Sequence, residues 1–108
     1  MDNALIYRLG DIAALAQKQF QEQYRNIDPI IGINRQLRKQ GFAVDLMTID
    51  CHTSQKRVTL LIEDAKPDSA GYQFGMINKD PSNHFESIAM AELNQQGFYD
   101  LMCRGLVL

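Results

Sequence analysis

Asp50, Asp64 and Lys66 are the residues whose types and spacing come nearest to a reaction. An acidic residue on one strand and a D-x-K on the next is the arrangement of restriction-endonuclease-like nucleases. There, two carboxylates hold a hard divalent cation, and a lysine orients water or steadies charge. Asp64 and Lys66 are two apart, so on a strand they point the same way. Pro67 follows at once and no Pro-Asp pair introduces Asp50, so the pattern is incomplete. A charged strand end facing solvent is the plain alternative, and a small magnesium-dependent nuclease is kept only as the second reading.

Cys51, His52, His84 and Cys103 are soft-metal ligand types, but structural zinc sites bring ligands in close pairs such as C-x-x-C. The only close pair here is Cys51-His52, whose adjacent side chains diverge on a strand, so no metal is expected. A nucleophilic cysteine needs a base. Folding would have to bring His84 to Cys51, and inert burial is the stronger expectation for a cysteine. The chain contains no G-x-S-x-G, P-loop or dinucleotide glycine pattern. Arg35, Arg38 and Lys39, with Arg25 nearby, could meet phosphates. The interleaved aromatics of a single-strand binder are missing from that segment, and nucleic acid is not an expected partner. Met47, Met76, Met90 and Met102 are read mainly as core filler.

The elements that would position these residues follow from periodicity. Residues 3–25 predict a helix, with Leu5, Leu9, Ile12, Ala16 and Phe20 on one face and Asp2 as its cap. Residues 29–40 predict a second helix. Asp28 would be its N-cap, Pro29 its first residue, Ile30, Ile33 and Leu37 its stripe, and Gly41 its left-handed stop. Then the period becomes two. Phe42, Val44 and Leu46 alternate, as do Val58, Leu60 and Ile62, and then Tyr72, Phe74 and Met76. Short loops make an antiparallel meander. Residues 82–104 predict a final helical region, with Asn83 and Glu86 at capping-box spacing and Gly97 as a break. The expected fold is therefore α+β: two N-terminal helices, a three-stranded antiparallel meander and a C-terminal helical region, in one domain over 1–108.

The three alternating triplets would share one wholly apolar face, with Leu60 and Phe74 in the core. The second face would mix Ala43, Met47, Ile49, Leu61 and Ile77 with Asp45, Arg57, Thr59, Glu63 and Gln73. A face open to water is usually more polar, so one of the chain's own helices, a second copy or a client should cover it. Met47, Ile49, Leu61 and Ile77, with the C-terminal Leu106, Val107 and Leu108, are the expected partner-binding residues.

Composition narrows the classes. The 108 residues are 45% hydrophobic and 22% charged, with formal net charge −2, so the chain is neither disordered nor a polycation. Residues 1–54 carry six basic and six acidic side chains, and 55–108 five and seven, so neither half suggests nonspecific binding to nucleic acid or membrane. The first residues lack the basic start and apolar stretch of a secretory leader, and no apolar run would span a bilayer. Two cysteines without a leader suggest free thiols in the cytoplasm. The size, acidity and order of elements are similar to those of small bacterial accessory proteins and secretion chaperones. That likeness implies an adaptor or chaperone-like protein acting by protein–protein association. The expected partners are a second copy as a homodimer and another protein, with no cofactor and no catalysis.

Overall fold

The computed structural model describes residues 4–107. The expected cap at Asp2 and the expected contact at Leu108 lie outside the described residues. Helix α1 (Leu5–Gln23) buries Ile6, Leu9, Ala13, Ala16 and Phe20, a stripe at helical steps that faces a sheet.

The predicted second helix is the first correction. Its N-terminal part is strand β1 (Ile30–Asn34), and only the four-residue helix α2 (Gln36–Lys39) remains helical. Ile30, Ile33 and Leu37 do fit a helical period, but Ile30, Ile31 and Ile33 are β-branched and suit a strand. Pro29 serves as well before a strand as at a helix start. Gly41 does take the left-handed conformation expected of it, at φ 98°.

Strands β2 (Val44–Cys51), β3 (Lys56–Glu63) and β4 (Ser69–Met76) lie where alternation put the meander. The second correction is beyond them. Residues expected to start a helix form strand β5 (Glu86–Ala89), then a 3-10 turn (Met90–Glu92), and helix α3 begins only at Gln95, running to Leu106. Asn94 is its cap and accepts the Gly97 amide at 2.8 Å, so Asn83 and Glu86 form no capping box. Pairing with β4 overrides the local helix pattern of Phe85, Ala89 and Leu93. The fold thus has one long N-terminal helix, a five-stranded sheet and a C-terminal helix. All strands are antiparallel, in the sequential order β1-β2-β3-β4-β5.

Register supplies the third correction. Met47 opposes Leu60 and Ile49 opposes Val58, so Met47 and Ile49, not Val44 and Leu46, share the core face with β3. Strand β2 has apolar residues in both phases, and a phase error of one residue exchanges its faces. Phe42 lies outside the strand and is 59% exposed. Leu60 is core as expected, at 1% exposure, whereas Phe74 sits at the rim, 39% exposed. Helices α1 and α3 cover the core face and pack on each other, with Phe20 and Phe98 fully buried. Of the residues expected to bind a partner, Met47, Ile49 and Leu106 are buried in this core. The helices leave the opposite face of the sheet uncovered.

Candidate functional site

The nuclease-like residues do not converge. Asp50 opposes Arg57 across β2 and β3, and its carboxylate accepts from that guanidinium at 2.6 and 2.8 Å. This hydrogen bond raises the Arg57 pKa. Asp64 follows the other end of β3, where its amide donates to the Ala43 carbonyl. Seven strand residues at about 3.3 Å each put the two carboxylates roughly 23 Å apart. Lys66 is exposed in the next loop. Among the described residues, no group of three or more His, Cys, Asp or Glu is placed to hold a metal ion.

The thiols are also separated from a base. Cys51 is buried on the helix-covered face. His84 is exposed on a loop tied by its carbonyl to Gln73, on the other side of the sheet, and its ring bonds Glu86 at 2.8 Å. Cys103 lies beside Tyr24 and Tyr99; its charge is the main cause of the raised Tyr24 pKa, and burial is the main cause for Tyr99. Both cysteines are free.

The basic cluster is taken up by carboxylates. Arg35 and Arg38 each donate at 3.0 Å to Asp45, which is only 4% exposed, and Arg38 also holds Asp64 at 2.7 Å. The Arg35 guanidinium lies 5.3 Å over the Tyr7 ring. These pairs tie α2 to the end of the sheet. Burial pushes the Asp45 carboxyl up, but the hydrogen bonds from Arg38 and Arg35 outweigh it and hold the group below its ordinary value. The Arg38 hydrogen bond holds Asp64 low as well. A depressed carboxyl contributes stability that is complete above its unfolded pKa and lost as pH falls through the folded one. Urea midpoints should therefore decline below about pH 4, the ordinary carboxyl range. Asp45→Asn should be less stable at neutral pH and show a shallower acid decline. An equally steep decline in the variant would remove Asp45 from that role.

The sheet face opposite the helices carries one groove. In register, one row across it is Gly32, Thr48, Thr59 and Gln73; the next is Asn34, Leu46, Leu61, Gly71 and Ser87; Ile30, Asp50, Arg57 and Gly75 flank the first. The loop after β4 folds back over this face, and Gln73 ties it down by donating to the carbonyls of Ser82 and His84 at 3.0 and 3.1 Å. Phe85 rides above Gly71, where a Cβ would lie 3.1 Å from its own. Between loop and sheet runs a groove of about 330 Å³, with Leu46, Thr48 and Thr59 among its lining and Lys79 and Asp80 on the loop side. Of the expected partner-binding residues, Leu61 is half-buried on this face, Ile77 is half-buried just past β4, and Val107 is half-buried after α3.

A second groove lies at the sheet edge, between α1 and β1. Tyr7, Gly10, Ala14 and Gln17 form one wall and Ile30, Ile31 and Ile33 the other. Tyr7, Ile30 and Ile33 are 39%, 47% and 37% exposed. The sequence reading missed this site because it placed the isoleucines on a helix. Their β-branching was the signal available. Comparison with protein-family models, with curated proteins and with solved structures gave no match.

Proposed function

We propose that this chain is a non-catalytic protein that acts by association through its uncovered sheet face, first with a second copy of itself, in an adaptor or chaperone-like role. The observation that carries the reading is the placement of Leu46 and Leu61 side by side at the centre of a sheet face that no helix covers. Val44 extends this apolar ground, while Thr48, Thr59 and the Asp50–Arg57 pair supply polar contacts. An apolar centre within a polar surround is the pattern of a protein interface. Two like faces can meet about a two-fold axis, so each Leu61 would pack against its counterpart's surroundings. A reducing cytoplasmic location fits the two free thiols.

Sedimentation at micromolar concentration should report twice the 12.3 kDa chain mass. Leu61→Lys should report the single-chain mass with an unchanged circular dichroism spectrum. A wild-type monomer under these conditions would remove self-association from the reading.

A further inference from the structure

Among the described residues, strand β1 ends the sheet order and bonds only to β2, so its outer edge pairs with no other described strand. Proteins usually guard such an edge with charge, proline or a bulge. Within Ile30–Asn34 there is neither charge nor proline. The opposite edge differs: β5 is four residues long and begins with Glu86, bonded to His84. Beside β1, the α1 wall is low. Gly10 lies so near the strand that a Cβ there would come within 3.1 Å of Ile33 Cδ1, and Ala14 and Tyr7 continue the wall. An extended segment laid along β1 would therefore meet both an open hydrogen-bonding edge and exposed apolar side chains.

Charge selects the occupant. Among the described residues, the charged ones lining this groove are Asp11 and Asp28, with no cation beside them. The nearby Arg35 is engaged with Asp45. A second copy would add two more carboxylates to an acidic groove, whereas lysine or arginine on a foreign segment would neutralise those present. We propose that the β1 edge accepts, by strand addition, an extended segment of a different protein in which alternating apolar residues are flanked by Lys or Arg. The proposal rests on the binding-protein reading, but it uses a different surface from the self-association face, so either can fail alone.

The probe is a phage-displayed random dodecapeptide library, followed by synthetic copies of the enriched sequences. The expected winners alternate β-branched or apolar residues with polar ones and carry Lys or Arg at their ends. Their amide chemical-shift changes should concentrate in Ile30–Asn34. The double variant Asp11→Lys, Asp28→Lys should weaken binding at least tenfold, and Ile33→Lys, on the α1 side of the strand, should do so independently if the charge variant folds poorly. Leu61→Lys should bind as the wild type does. No enrichment, acidic-flanked winners, shifts confined to the uncovered face, or affinities indifferent to both edge variants would each overturn the proposal. So would hydrogen-exchange protection of β1 that grows with protein concentration, since that would make the occupant a second copy.

Discussion

Phe20→Ala is expected to destabilise the protein by about 3–5 kcal/mol, the usual cost of truncating a fully buried phenylalanine. Phe20 is 0% exposed, its ring lies 4.7 Å from Tyr24 and 6.1 Å from Tyr99, and it joins α1 to α3. The void would open where two helices meet over the sheet, so collapse from one side cannot fill it without moving the other. A domain of this size has only about 5–15 kcal/mol of net stability, so the variant should be partly unfolded at 37 °C. Urea denaturation followed by circular dichroism measures the loss. Leu15→Ala is the control: Leu15 lies on the same helix but is 56% exposed, and its loss should stay within about 0.5 kcal/mol. If the two variants cost the same, α1 does not face the sheet through Phe20.

Gly97→Ala should cost about 3 kcal/mol, at the upper end of the range for overpacking. A Cβ at Gly97 would lie 1.8 Å from the Glu92 carbonyl oxygen, which is backbone and cannot swing away. Helix propensity alone predicts the opposite sign, a gain of up to about 1 kcal/mol for replacing glycine inside a helix. The clash wins, because relieving it means moving the 3-10 turn or the start of α3, and the Asn94–Gly97 cap with it. Gly75→Ala, where nothing lies within 4 Å of the added carbon, should leave the urea midpoint nearly unchanged. A neutral result at Gly97 would show that the turn and the helix start can separate freely.

That glycine illustrates what the sequence could and could not convey. Gly97 looks like a helix break, because no local rule reveals that residue 92 returns against it. The α1 helix, the three central strands and the α+β class were legible because each rests on a run of period 3.6 or 2. The two edge strands were not. Ile30, Ile33 and Leu37 satisfy a helical step, and Glu86–Ala89 becomes a strand through pairing with β4. Strand β2 was located correctly but faced the wrong way, since Val44 and Leu46 are as apolar as Met47 and Ile49. The same error put Met47 and Ile49 on the open face, whereas the chain's own helices cover them. The nuclease pattern failed because order along the chain conceals that Asp50 and Asp64 lie at opposite ends of one hairpin.

The strictly sequential sheet has a consequence for how the chain folds. Every strand pairs with the next one in sequence, so each hairpin closes a short loop at small entropic cost. The packing of α1 on α3 is the exception: Gln95 donates to Gln19 across 76 positions of chain. Contacts that close so large a loop tend to form late. The meander can therefore assemble first, with the terminal helices clasping afterwards. In stopped-flow measurements, Phe20→Ala should then leave the folding limb of the chevron nearly in place and raise the unfolding rate, giving a φ-value near zero. A comparable slowing of folding would place the helix clasp in the nucleus instead.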